Sequence, residues 1–192
     1  STFEIPCNTC AMCIEIAAGR CLDVIEMDAA SHTGVDHVRE HIIETTRLAP
    51  ASAARKVFVI DEVHMLSTSA FNALLKTLEE PPAHVCFILA TTELQRVPET
   101  VRSRCQHFAF RRVTDAAMVE RLAQLARAES VTVEADVFAA VARGAAGSLR
   151  DAETGLGQRL AMGERTITRE HASGVLPRSS SAQAEVRITA LT

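Results

Sequence analysis

Four apolar residues, Val57, Phe58, Val59 and Ile60, run directly into Asp61 and Glu62. This pattern fits a strand buried in a parallel sheet, delivering two carboxylates to the carboxyl edge where open α/β folds bind ligands. Two acids at that edge are the chemistry of a Walker B strand. Asp61 would hold magnesium on a nucleotide, and Glu62 would orient the water that attacks the terminal phosphate. Taken alone, the run is equally a plain strand and loop.

The residues that follow narrow the choice. Ser67, Thr68 and Ser69 offer N-cap hydroxyls, and Phe71, Leu74, Leu75 and Leu78 form the one-faced stripe of a helix. Pro81 and Pro82 end it. Residues 85–89 read as a second buried strand that leaves Thr91 and Thr92 as neutral hydroxyls near the same edge. A hydroxyl there can bind a phosphate oxygen or the attacking water, the sensor 1 role, or it can merely cap the next turn. Ser103-Arg104-Cys105 comes third. An arginine so placed ordinarily makes a surface ion pair worth under about 1 kcal/mol; in an assembly it can reach a neighbour's nucleotide.

Cys7, Cys10 and Cys13 are spaced Cys-x-x-Cys-x-x-Cys, without the cysteine pattern of an extracellular domain. Thiolates at these intervals suggest a tetrahedral zinc site, which needs four ligands. Three are visible, with buried or redox-active thiols as the alternative. Cys21 is a weaker candidate for the fourth, because it opens a strand-like stretch where cysteine serves as a small apolar residue.

The segments Asp28-Ala29-Ala30-Ser31, Val59-Ile60-Asp61-Glu62-Val63-His64-Met65-Leu66, Asn72-Ala73-Leu74-Leu75-Lys76-Thr77-Leu78-Glu79-Glu80-Pro81-Pro82, Ser103-Arg104-Cys105 and Gly147-Ser148-Leu149-Arg150-Asp151-Ala152 together resemble the gamma/tau family of bacterial DNA polymerase III. That family is the AAA+ ATPase motor of the replicative clamp loader. The likeness runs from about Pro6 to about Leu176. It implies an α/β fold: a partial P-loop AAA+ domain with a parallel sheet and flanking helices over residues 1–111, a zinc module at 7–21, and an all-helical lid at 112–176. In the lid, Arg150 would be sensor 2 and read the nucleotide. Arg104 would complete a neighbour's site, and Thr92 would sense the terminal phosphate.

No Gly-x-x-x-x-Gly-Lys-Ser/Thr occurs, since neither Lys56 nor Lys76 follows a glycine. In the family this Walker A loop lies upstream of the cysteines, as does the fourth zinc ligand. The resemblance therefore implies an amino-terminally truncated fragment. Without the amides and lysine of that loop, the chain alone is expected to bind ATP weakly and to be inactive as the ATPase subunit of a DNA-directed DNA polymerase.

Implied cofactors are zinc, and ATP with magnesium. Implied partners are the delta and delta-prime subunits, further gamma/tau copies, the sliding clamp, primer-template DNA and, given a tau-like extension, the polymerase core. His32, Thr33 and Thr68 sit at helix starts that face DNA in such rings, or are plain exposed caps. The net charge of −4 disfavours an autonomous nucleic-acid module. No apolar run is long enough for a membrane span, and a cytoplasmic location is expected.

Elsewhere, Ser31 reads as an N-cap for a helix carrying Val35, Val38, Ile42 and Ile43. Thr114 caps another carrying Met118, Leu122 and Leu125. Gly155 and Gly157 should weaken the last lid helix, at about 1 kcal/mol each. Residues 177–192, rich in serine, read as a tail, linker or disordered end. Two other readings stay open. A delta-prime-type scaffold is disfavoured by the Asp61-Glu62 pair, and a stand-alone zinc-binding module is disfavoured by the ordered motifs downstream.

Overall fold

The computed structural model of the chain describes residues 6–161, 166–168 and 187–191. It divides into two compact units, Ser1–Phe110 with Ala184–Thr192, and Arg111–Gln183. No helix among the described residues is long and apolar enough to cross a membrane.

The first unit is built on a sheet in the order β1 (Val24–Asp28), β2 (Lys56–Asp61), β3 (Val85–Thr91), β7 (Arg187–Leu191), β4 (Gln106–Ala109). Strands β1, β2 and β3 are parallel, in the register Asp28 with Asp61 and Phe58 with Phe87. Strand β7 pairs antiparallel with both β3 and β4, so β3 and β4 run the same way. Residues 187–191, read from sequence as part of a tail, are therefore a sheet strand. Their backbone groups satisfy the edge of β3, which an unpaired strand would leave open.

The Asp61 strand alternates: Phe58 and Ile60 are buried, while Val57 and Val59 are half-buried. Phe87 and Leu89 extend the buried face on β3. Helix α4 (Thr68–Glu79) covers the sheet, with Ala70, Phe71, Leu74 and Leu78 buried. Its N-cap is Ser67, whose hydroxyl accepts the Ala70 N–H at 3.2 Å, and it stops before Pro81 as the sequence predicts.

The helix after β1 departs from expectation. It starts as α2 (Val35–Val38), passes through a π-helical turn at Arg39–Ile43, and ends as α3 (Glu44–Thr46). Ser31 does not cap it. Its hydroxyl donates to Asp28 Oδ2 at 2.7 Å, a nearer carboxylate that outcompetes the helix end, and Gly34 is the N-cap without a side-chain bond.

Strand β1 begins at Val24 because Asp23 turns to another task. Buried to 1% exposure, its carboxylate accepts the N–H groups of Ala51, Ser52 and Ala53 at 2.7, 2.8 and 2.7 Å. Those backbone bonds hold its pKa at about 2, below the ordinary 3.8. The folded pKa is depressed, so this stabilisation is present above pH 3.8 and disappears as pH falls toward 2. Asp23→Asn is expected to lower stability at neutral pH and to flatten the acid limb of the unfolding profile in that window, followed by circular dichroism. An unchanged acid limb would show that Asp23 does not carry it.

The second unit packs α6 (Asp115–Ala128), α7 (Ala135–Ala145) and α8 (Leu149–Ala161), with a parallel pair β5 (Thr132–Val133) and β6 (Thr166–Ile167). Thr114 caps α6, its hydroxyl accepting the Ala117 N–H at 3.3 Å. Met118, Leu122, Val137, Val141, Ala152 and Leu156 form its core. Helix α8 continues through Gly155 and Gly157. Burial of Ala152, Gly155 and Leu156 on one side outweighs the propensity cost.

Candidate functional site

Three strands deliver polar groups to one edge of the sheet. β1 ends at Asp28, β2 at Asp61 and β3 at Thr91, and the Ala29 N–H donates to the Asp61 carbonyl at 2.9 Å. Asp61 is exposed, with Oδ1 accepting the Glu62 N–H at 2.9 Å. An exposed carboxylate of this kind suits a hard divalent cation. The Asp28 carboxylate is occupied instead. The Ser31 hydroxyl and the Ala30 N–H donate to it and lower its pKa.

Glu62 adopts a left-handed backbone, φ 46° and ψ 44°, that turns its side chain off the strand line. Its Oε2 accepts the Thr92 hydroxyl at 3.0 Å. Asp61, Glu62 and Thr92 thus gather at one edge. The sequence did not single out His64, buried in the turn Val63–Met65, which also meets Glu62 Oε2, at 3.2 Å from Nδ1. Nor did it single out Glu93, whose Oε1 lies 3.3 Å from His64 Nε2. Thr91 is buried behind them, its hydroxyl 2.8 Å from His64 Nδ1. The only sequence signal for His64 was its position two residues past the acidic pair.

Arg104 is not part of this cluster. It follows the short helix α5 (Glu99–Arg102) and precedes β4, whose start lies at the edge opposite the ends of β2 and β3. Its guanidinium bonds Glu79 Oε1 at 2.8 Å and the Thr100 carbonyl at 2.5 Å. Arg150 is exposed at the second position of α8, in the other unit. The turn before it explains the Gly147-Ser148-Leu149-Arg150 string. Gly147 has φ +88°, and a Cβ there would sit 2.7 Å from Arg112 Cβ, so only glycine fits. Ser148 then accepts the Asp151 N–H at 3.3 Å.

His32, Thr33 and Thr68 are all exposed, and the loop and helix that carry them meet where the Ser67 N–H donates to the Thr33 carbonyl at 3.1 Å. The His32 ring lies 4.0 Å from that of His37, which meets His41 edge-on at 4.0 Å. Burial, then the proximity of His32 and His41, lowers the pKa of His37.

The Cys7, Cys10 and Cys13 sulfurs lie within 4.8 Å of one another. Cys7 and Cys13 are 3.8 Å apart, about the edge of a tetrahedron whose metal–sulfur distance is about 2.3 Å. Backbone N–H groups of Thr9 and Cys10 lower the pKa of the Cys7 thiol to about 6, whereas, against the lowering effect of the Asn8 backbone, that of Cys13 is raised by its neighbours Cys10 and Cys7. Cys21 lies outside this group. It is buried, and its thiol contacts Met12 Sδ at 3.8 Å. Burial pushes the Cys105 thiol up to about 11, and it donates to the Val101 carbonyl.

Residues 1–114 match the family described as DNA polymerase III, delta subunit. The DNA polymerase III subunit tau of Bacillus subtilis is 52% identical over 147 residues, covering 77% of this chain and 26% of that protein. Subunit tau of Escherichia coli is 43% identical over 171 residues, 89% of this chain and 26% of that one. The chain thus spans about a quarter of the length of these relatives.

Among solved structures, a DNA polymerase III gamma subunit-related protein from Thermotoga maritima superposes with a TM-score of 0.54 at 20% identity. The match covers 73% of this chain and 45% of that one. The RuvB Holliday junction branch migration motor of the same organism gives 0.60 at 17%, covering 83% and 54%. These structural likenesses show a shared α/β fold alone. Sequence identity over most of its length adds the lineage, and the chain belongs to the DNA polymerase III gamma/tau subunit family.

Proposed function

We propose that this chain supplies the hydrolytic edge of the ATP-driven motor subunit in the bacterial clamp loader, which places the sliding clamp on primed DNA. The observation that carries this reading is the gathering of Asp61, Glu62 and Thr92 at one sheet edge. Asp61 binds magnesium with the nucleotide, Glu62 orients and deprotonates the attacking water, and the Thr92 hydroxyl contacts the terminal phosphate. Arg104, at the opposite edge, serves an adjoining subunit, and Arg150 reads the nucleotide from the lid. The assembly comprises delta, delta-prime and further gamma/tau copies, with primer-template DNA against His32, Thr33 and Thr68.

The test is a chimaera in which residues 6–161 replace the matching segment of the Bacillus subtilis tau subunit, assembled with its partners. ATP turnover should persist, and Glu62→Gln should lower kcat by roughly 10² to 10⁴-fold while nucleotide still binds. Undiminished turnover by the Glu62→Gln chimaera would exclude the motor assignment built on Glu62, whereas no turnover by the unsubstituted chimaera would favour a non-hydrolysing scaffold of the delta-prime kind. In the same assembly, Thr68→Glu should weaken primer-template binding; unaltered binding removes Thr68 from the DNA face.

Cys7, Cys10 and Cys13 are proposed to bind zinc, which their sulfur spacing supports. Bound there, zinc would cross-link the first turn of α1 (Ala11–Ala17), a helix with no buried residues to hold it. Cobalt(II) titration of the chain should give thiolate-to-metal absorption. Cys10→Ser should weaken binding by about 10²-fold or more, and Cys21→Ser should leave it unchanged. Full affinity in the Cys10→Ser protein would remove the assignment.

A further inference from the structure

His64 is the buried titratable side chain at the site that the proposed chemistry leaves unused, and it is only 5% exposed. On one side of the ring, Nδ1 lies 2.8 Å from the Thr91 hydroxyl and 3.2 Å from Glu62 Oε2. On the other, Nε2 lies 3.3 Å from Glu93 Oε1, an oxygen that also takes Arg96 at 3.0 Å. The ring is thus set between two carboxylates. Nδ1 faces both the Thr91 hydroxyl and Glu62 Oε2, and the Thr91 hydroxyl in turn accepts the Glu93 N–H at 3.0 Å, so the two carboxylate residues are joined through this ring and hydroxyl.

Glu62 itself needs such a grip. A non-glycine residue in the left-handed region carries backbone strain and stays there only when its surroundings hold it. Three groups meet the same oxygen, Oε2: the Thr92 hydroxyl at 3.0 Å, His64 Nδ1 at 3.2 Å and the Thr92 N–H at 3.5 Å. Among the described residues no hydrogen bond reaches Oε1, the oxygen left for a water.

We propose that His64 is a positioning residue for Glu62. It fixes Oε2 while the Thr92 hydroxyl turns to the terminal phosphate, presents Oε1 to the attacking water, and links the carboxylate to Glu93 on the loop after β3. The inference rests on Glu62 being the group that activates water.

Its test uses the tau chimaera and this chain in parallel. His64→Leu removes both ring nitrogens, and His64→Asn restores an amide N–H near the place of Nδ1. In the chimaera, His64→Leu should lower kcat about tenfold or more with KM for ATP changed less than about twofold, and His64→Asn should recover kcat to within about threefold. In this chain, the carbon-13 resonance of the Glu62 carboxyl should move in His64→Leu and return in His64→Asn.

A His64→Leu chimaera with undiminished kcat, alongside an inactive Glu62→Gln chimaera, overturns the inference and leaves the motor reading intact. Full turnover by Glu62→Gln overturns the motor reading instead, and the inference falls with it. Equal kcat loss in both His64 variants, with a lowered unfolding midpoint, assigns His64 a packing role and also overturns the proposal.

Discussion

Arg104→Ala in the assembled loader is expected to lower ATP turnover by about 10³ to 10⁵-fold, the range over which a guanidinium supplied in trans accelerates phosphoryl transfer. Within the chain Arg104 bonds Glu79 and the Thr100 carbonyl. Its side chain is 36% exposed and that of Glu79 is 48% exposed, so this surface pair contributes less than about 1 kcal/mol. The substitution should therefore leave folding almost untouched while removing the guanidinium proposed to serve a neighbour's transition state.

Mixing separates this role from a local one. Assemblies combining Arg104→Ala subunits with Glu62→Gln subunits should regain turnover at the boundaries where an intact Arg104 faces an intact Glu62. Arg104→Ala loaders that hydrolyse ATP at the unsubstituted rate would show that this guanidinium serves no other subunit. A loss that no mixture relieves would place its action in cis.

Strands β2 and β3 and helix α4 were legible because each carries its own instructions. Alternating burial on β2 follows from four apolar residues closed by acids, and Ser67 and Pro81 bracket a single apolar stripe. Where two local signals compete, the sequence misleads: the Ser31 hydroxyl suits a helix cap and an Asp28 bond equally, and only the folded turn decides between them. The π-turn at Arg39–Ile43 has no residue signature, since it is a shift in hydrogen-bond register within an ordinary helical pattern.

Contacts distant in sequence were hidden for another reason. Asp23 holds amides about thirty residues away, and Glu62 meets Thr92 across a similar interval, fixed only by the pairing of β2 with β3. Strand β7 was invisible because five residues after a serine-rich stretch carry too short an alternation to be recognised, and its partners were set by the sheet rather than by its own sequence.

That same pairing supplies the other large effect. Phe58 and Phe87 face each other in register on adjacent strands, exposed by 1% and 0%, with ring centroids 5.3 Å apart and planes 23° from parallel. Phe58 lies three residues before Asp61, and Phe87 five before Thr92. Either Phe→Ala change should cost about 3 to 5 kcal/mol, from lost burial plus a cavity that the surrounding side chains cannot refill. A domain with about 5 to 15 kcal/mol of total stability loses a large share of it. Because the two rings fill one space, the double substitution should cost less than the sum of the singles. Denaturant unfolding measures all three. A loss below about 1 kcal/mol for Phe87→Ala would mean that the stacked rings do not anchor the register joining Glu62 to Thr92, and an additive double substitution would mean that they act separately.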